Sequence, residues 1–194
     1  MEIGATKAVQ DRLKTTKIEE SKGASLVFCW DTHLTKIKGR NVLFIVNASN
    51  RYTIAMTDIE PRNWNYYTMY IRSVIHGVMQ EMGYSEDQIG QYFKMSGDTT
   101  VTKTHGRKSV GGINRMVMDA QYFGKKLEKE AKYQWELSEY LNRDICQPEG
   151  FDAYGYPSEL FKLDMERLGI AAKRKPAKVI DFAQYIENNR GTNN

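Results

Sequence analysis

Two histidines, His33 and His105, are the residues of this sequence best suited to catalysis. Asp31 and His33 are two positions apart in a segment rich in strand formers, so their side chains share one face of a sheet. A carboxylate beside an imidazole can orient a general base. His105 precedes Arg107 in a basic segment, and an imidazole with nearby cations could cleave RNA without a metal. We therefore treat His105, His33 and Asp31 as candidate catalytic residues. The alternatives are a polar pair on the wet face of the sheet and a loop that only contacts phosphate.

A second signal lies in residues 107–115, RKSVGGINR, where cations, a hydroxyl and two glycines meet at the predicted start of a helix. The free N–H groups and the dipole of a helix start favour an anion. The segment lacks the G-x-x-x-x-G-K-[ST] order of a P-loop. We predict a nucleic-acid or other anion site made of Lys103, Arg107, Lys108, Ser109, Gly111, Gly112, Asn114 and Arg115. The alternative is a capped helix whose glycines allow close packing on the sheet.

The sequence predicts neither a metal nor another cofactor. No pair of histidines has metal-ligand spacing, and Asp58 and Glu60 flank a proline, where a role in the turn is the default. Cys29 and Cys146 lie far apart in the chain, which indicates reduced thiols rather than a disulfide framework or a zinc site.

Charge is unevenly distributed along the chain. Residues 94–132 contain nine lysines and arginines against four acids, whereas residues 144–168 contain six acids against two bases. A basic cluster, KRKPAK, follows at 173–178. Such a separation of charge along the chain favours a protein that binds a polyanion on one face. The alternative is that the charged residues form only a solvated helix face followed by a tail.

The elements that must position these residues predict an α+β fold. Strand formers at 25–37, the apolar run VLFIV inside 41–47 and the alternating segment 51–57 predict an antiparallel meander. A short strand at 2–6 and an edge strand before 103 add to it. Apolar residues at helical spacing over 64–82 predict a helix that covers the sheet. Further helices are predicted at 7–13, with Thr6 as N-cap, at 85–93 behind a Ser85–Gln88 capping box, from 109 or 111, and at 158–168.

Three regions follow from these patterns. Residues 1–142 are predicted to form a single α+β domain, residues 143–172 an acidic helical extension, and residues 173–194 a basic, weakly structured tail.

The composition, 41% hydrophobic and 27% charged, is that of a globular chain and excludes wholesale disorder. No apolar run is long enough for a membrane helix and no signal peptide is visible, so we expect a cytoplasmic protein without a membrane partner.

Four short motifs in order resemble a known pattern. They are Ala5-Thr6-Lys7, Trp30-Asp31-Thr32-His33, Arg40-Asn41-Val42-Leu43-Phe44, and the segment from Arg107 to Asn114. The chain thereby resembles, over roughly residues 2–125, an uncharacterised bacterial and phage domain family with the pattern A-T-K, W-x-A-N, R-x-x-L-F and R-S-V-L-G-S-M-N. In this sequence Lys108 is inserted between Arg107 and Ser109, Gly111 replaces an aliphatic residue, and His33 replaces the asparagine of W-x-A-N. The resemblance implies an α+β domain and no activity.

The leading hypothesis is an accessory protein of a mobile genetic element that binds nucleic acid, RNA rather than DNA, or a ribonucleoprotein. By general type the chain is similar to type II anti-CRISPR proteins, which inhibit an RNA-guided nuclease such as Cas9. The alternatives are a metal-independent ribonuclease and a protein-interaction module whose acidic face imitates nucleic acid. The sequence leaves the oligomeric state open.

Overall fold

The structure is a computed structural model that describes residues 1–14 and 18–172. Within these residues the chain forms five strands and seven α-helices, which confirms the α+β class. The strands are β1 (Glu2–Ala5), β2 (Cys29–Ile37), β3 (Arg40–Asn47), β4 (Thr53–Thr57) and β5 (Thr100–Thr102). The helices are α1 (Lys7–Leu13), α2 (Pro61–Asn65), α3 (Tyr67–Glu81), α4 (Glu86–Ser96), α5 (Gly106–Gln121), α6 (Trp135–Asn142) and α7 (Pro157–Arg167).

The five strands form one mixed sheet in the order β4-β3-β2-β1-β5. β2, β3 and β4 are the predicted antiparallel meander, with a tight turn at Lys38–Gly39. β1 and β5 extend the sheet with parallel pairs, which the sequence analysis did not predict. Parallel neighbours are joined by long crossovers and leave no turn signal between them, so local patterns could not reveal this pairing.

Each face of the sheet is covered by helices. On one face, α3, α4 and α7 pack on a core around Trp30, Leu43 and Ile45. On the other face, α5 and α6 pack on Phe44 and its neighbours. The apolar stripe predicted on the long helix is buried as expected, because Ile71, Ile75 and Val78 belong to the first core.

Several predicted boundaries shift. β2 begins at Cys29 rather than at 25, because residues Leu26–Phe28 form a 3-10 turn. The 64–82 helix is two helices that meet at Tyr66. Thr6 makes no side-chain cap, because its hydroxyl donates to the carbonyl of Thr32 instead. The Ser85–Gln88 capping box is confirmed.

The helix predicted from 109 or 111 begins earlier, at Gly106, which places the expected anion-binding residues other than Lys103 within its first three turns. The acidic segment forms α7, and Phe161 and Met165 of this helix belong to the first core. The division into three regions stays a prediction, and the predicted tail at 173–194 lies outside the described residues. Within the described ranges, no helix is both long and apolar enough to cross a bilayer.

Candidate functional site

A buried polar network lies where the parallel strands meet the start of α5. Glu2 and Cys29 are neighbours in the β1–β2 register, and Asp31 follows on the same face of β2. His105 is the N-cap residue of α5, and Gly106 takes a φ of 89°, which favours glycine. These side chains are almost completely buried: Cys29 and Asp31 have 0% of their surface exposed, Glu2 4% and His105 8%.

Hydrogen bonds connect the network end to end. Nδ1 of His105 donates to Asp31 Oδ1 at 2.7 Å, and Nε2 donates to Glu2 Oε2 at 3.0 Å. The other oxygen of Asp31 accepts from the Ser109 hydroxyl, and the backbone N–H of His105 also donates to this carboxylate. Oε1 of Glu2 accepts from the backbone N–H of Lys22 at 2.8 Å. Asp31 therefore ties the start of α5 to the sheet through His105 and Ser109.

Gly4 makes room for this carboxylate. It lies beside Asp31 in the register of β1 and β2, and a Cβ at this position would overlap Asp31 Oδ1 and lie 3.0 Å from the Cα of Thr104. Only glycine lets the Asp31 side chain lie across β1 and reach the start of α5.

The network holds His105 in its charged form. Burial alone would lower the pKa of His105, but the hydrogen bond and charge of Asp31, with a contribution from Cys29, outweigh burial and raise it to about 10. The pKa of Glu2 is lowered although burial acts to raise it, because Ser21, Lys22 and His105 donate to its carboxylate. At neutral pH an imidazolium therefore lies between two carboxylates.

This geometry does not favour the predicted catalytic roles. Both ring nitrogens of His105 donate to carboxylates, so neither is free to take a proton from a substrate. The expected pairing of Asp31 with His33 does not form, because Asp31 is bonded to His105 and Ser109. His33 instead donates through Nδ1 to the Thr6 hydroxyl at 3.2 Å, and burial lowers its pKa. His105 itself is buried rather than part of an open loop.

The eight residues of the predicted anion site separate into two groups. Ser109 is buried and its hydroxyl is bonded to Asp31, and Gly112 is half-buried. The other six side chains or glycines are exposed: Lys103, Arg107, Lys108, Gly111, Asn114 and Arg115. Lys103 forms an ion pair with Glu20. Since the Asp31 carboxylate already lies at the start of the helix, the cationic side chains are the groups best placed to attract an anion.

Three cations surround a pocket of about 230 Å³ beside the first turns of α5, called here the basic pocket. Lys108 and Arg115 come from α5, and Arg51 comes from the turn between β3 and β4. The lining also includes Gly111, Gly112, Glu149 and residues of the 147–148 segment. Lys108 Nζ donates to the Pro148 carbonyl at 3.2 Å, which fixes the position of this cation at the rim.

Sequence reasoning missed Arg51. Its Nη2 donates to the Gly112 carbonyl at 2.9 Å, and a Cβ at Gly112 would lie 3.2 Å from Arg51 Nε. Glycine at 112 therefore lets the guanidinium lie against α5. The contact joins residues 61 positions apart, and no local pattern around Arg51 indicates it.

Two exposed tyrosines belong to the segment that pairs with a neighbouring crevice. Arg51 also lines this crevice, together with Asp119, Asp144 and Cys146, and the backbone of Cys146 pairs with Gly155. Tyr154 and Tyr156 flank Gly155 and are 70% and 50% exposed.

Comparison with known proteins identifies the family of this chain. Residues 2–160 match the model of a family described as a domain of unknown function, DUF6933. The chain belongs to the DUF6933 family. No curated protein and no solved structure matches it. The resemblance to an uncharacterised family is confirmed, and the match extends beyond residue 125 to include α6 and the start of α7.

The matched region contains both the buried network and the basic pocket. Every residue that these two sites use, from Glu2 to Glu149, lies between its limits. The family description assigns no activity, so the chemistry of the sites has to be argued from their geometry.

Proposed function

We propose that the protein binds the phosphate backbone of RNA at the basic pocket. The observation that carries the proposal is the convergence of Arg51, Lys108 and Arg115, from two different elements, around one pocket with a single acid, Glu149. Within the lining of this pocket, three cations stand against one carboxylate, while Asp119 and Asp144 line the adjoining crevice that shares Arg51. A concave surface lined mainly by one sign of charge concentrates field lines and attracts a polyanion.

The cations of the basic pocket form no ion pair within the described residues, whereas one of the two arginines of a larger pocket does. That larger pocket, of about 560 Å³, is lined by Arg12 and Arg40. Arg40 is paired with Asp58, and Arg12 lies over the Trp64 ring, 5.5 Å from its centroid. We therefore assign phosphate binding to the smaller pocket.

The surroundings of the pocket favour a single strand over a duplex. Exposed Tyr154 and Tyr156 flank Gly155, which pairs with Cys146 of the crevice that shares Arg51, and bases that are not paired can stack on exposed rings. Phosphate contacts position a nucleic acid without reading its sequence. We accordingly propose broad recognition of single-stranded RNA, either free or exposed on a ribonucleoprotein such as an RNA-guided nuclease, as an accessory function of a mobile genetic element. Two buried free thiols, Cys29 and Cys146, are in keeping with action in the cytoplasm.

Fluorescence anisotropy with a labelled single-stranded RNA tests the proposal. The affinity of the wild-type chain should fall with salt between about 50 and about 200 mM, and the slope should reflect about 0.7 ion per phosphate contact. The double variant Lys108→Ala/Arg115→Ala removes two cations of the pocket. Its log–log slope should flatten by about 1.4.

The matched control is Lys7→Ala/Lys94→Ala, which removes two exposed cations from α1 and α4. Lys94 lies on a helix that packs on the opposite face of the sheet from α5. The control should keep the wild-type slope. Equal slopes for wild type and the pocket variant, or equal losses in both variants, would reject the basic pocket as the RNA site. A parallel arm with an assembled RNA-guided nuclease shows whether binding extends to the ribonucleoprotein.

A further inference from the structure

We propose that Glu2, Cys29 and His105 form a binding site for a zinc-class transition-metal ion. One ligand atom from each residue, a carboxylate oxygen, Sγ and a ring nitrogen, lies within 4.8 Å of the other two. All three residues are buried. The inference is independent of RNA binding, since none of the three residues lines the basic pocket.

The spacing of the ligand atoms suits a tetrahedral ion. Zinc bonds of about 2.0–2.3 Å place neighbouring ligand atoms about 3.4–3.7 Å apart. His105 Nε2 and Glu2 Oε2 are 3.0 Å apart, and Cys29 Sγ lies within 4.8 Å of one ring nitrogen of His105 and one carboxylate oxygen of Glu2. These separations lie on both sides of the tetrahedral values, so side-chain shifts would bring one atom of each residue to bonding distance from a common ion.

The surroundings are those of a metal-binding histidine. A metal-bound imidazole generally donates its second ring N–H to a carboxylate, which fixes the orientation of the ring. Nδ1 of His105 donates to Asp31 at 2.7 Å, and the Ser109 hydroxyl holds the other oxygen of this carboxylate. The hydrogen bond leaves Nε2 directed at Glu2, where the metal would lie. Asp31 thus positions a ligand and does not itself bind the ion.

The donor set selects the class of ion. Thiolate and imidazole ligands favour zinc and related first-row ions, whereas magnesium and calcium prefer oxygen ligands. Three protein ligands leave one tetrahedral position for a water molecule. Binding M²⁺ would replace the hydrogen bond between His105 and Glu2 and the hydrogen bonds from the Cys29 thiol to the Ala24 and Ser25 carbonyls. It would release two protons, one from the Cys29 thiol and one from Nε2 of His105. Charge is balanced because the ion then faces one thiolate and one carboxylate.

Cobalt substitution provides the first test. After treatment with chelator, the full chain titrated with Co²⁺ should develop the visible bands of a tetrahedral ion and a sulfur-to-cobalt charge-transfer band. Cys29→Ser should lose the charge-transfer band. Cys146→Ser is the matched control, because Cys146 is also a buried free thiol but lies outside the cluster, and it should keep the band.

X-ray absorption at the zinc edge of the wild-type chain provides a second test, which does not depend on whether a variant folds. The expected spectrum has one sulfur at about 2.3 Å and nitrogen or oxygen ligands at about 2.0–2.2 Å. Asp31→Asn should weaken zinc affinity by about 10–100-fold in competition with a chromophoric chelator. Substoichiometric zinc after dialysis, a zinc shell without sulfur, or loss of the cobalt band in Cys146→Ser would overturn the site.

Discussion

Replacing Gly4 by alanine should destabilise the protein far more than a single methyl group suggests. The new Cβ would overlap Asp31 Oδ1 and lie 3.0 Å from the Asp31 Cγ, so the carboxylate has to leave its position across β1. Its departure removes the partner of the His105 ring and of the Ser109 hydroxyl. A buried imidazolium then keeps only Glu2 as a counter-charge.

Two opposing effects determine the magnitude. Breaking a buried ion pair by removing one partner costs about 3–5 kcal/mol of unfolding free energy. Replacing glycine by alanine reduces the freedom of the unfolded chain and offsets about 0.4–1 kcal/mol. The net loss is therefore about 2–5 kcal/mol. For a chain of this length the melting temperature should fall by about 4–18 °C.

Thermal and urea unfolding followed by circular dichroism measures this loss. The matched control is Gly90→Ala, in the middle of α4, where a Cβ would meet open space. Since alanine is the better helix former, this control should be stabilised by about 0.5–1 kcal/mol. A Gly4→Ala protein as stable as wild type, or stabilised like the control, would show that Asp31 can move away without cost and that the network does not support the fold.

Two further predictions follow from the core and from the charge of His105. Ile75→Ala should cost about 2–5 kcal/mol in urea unfolding because Ile75 is fully buried, whereas Met69→Ala on the same helix, at a position 68% exposed, should change little. A small effect at both positions would place the stripe of α3 outside the core. The folded pKa of His105, about 10, lies above its unfolded value of 6.5, so its protonation stabilises the fold fully below pH 6.5. With chelator present, this contribution should be lost as pH rises to about 10, and the stability difference between wild type and His105→Gln should shrink over that range. A difference that stays constant with pH would mean that Glu2, Asp31 and Cys29 do not hold the ring charged.

The elements whose residues carry a local sequence pattern could be predicted from the sequence. The apolar run at 42–46 became the buried strand β3, because a continuous apolar segment of that length has to be covered on both faces. The spacing of Ile71, Ile75 and Val78 marked the buried face of α3 for the same reason. The Ser85–Gln88 pair fixed the start of α4, since both of its hydrogen bonds are formed within four residues.

The sites depend on contacts that no local pattern contains. Glu2 and His105 are 103 positions apart, and Arg51 and Gly112 are 61 apart. Spacing along the chain could not indicate the cluster of Glu2, Cys29 and His105, because these residues come from two strands and a helix cap. His105 was identified as a candidate residue, but the prediction that it lies in an exposed loop was wrong. His105 is buried next to Gly106, which has a positive φ, and its ring is bonded to Asp31.

The position of β1 has a consequence for the growing chain during synthesis. The two hairpins β2–β3 and β3–β4 join residues close in sequence and can form as soon as residue 57 has emerged. β1 is made first, yet one of its edges has no partner until residues 100–102 are available. Its N–H and C=O groups on that edge stay open while about half of the chain is translated, and an open strand edge is a template for pairing with other chains. The free edge of β1 is therefore a site where a nascent chain could pair with another chain, and pairing with β5 closes it.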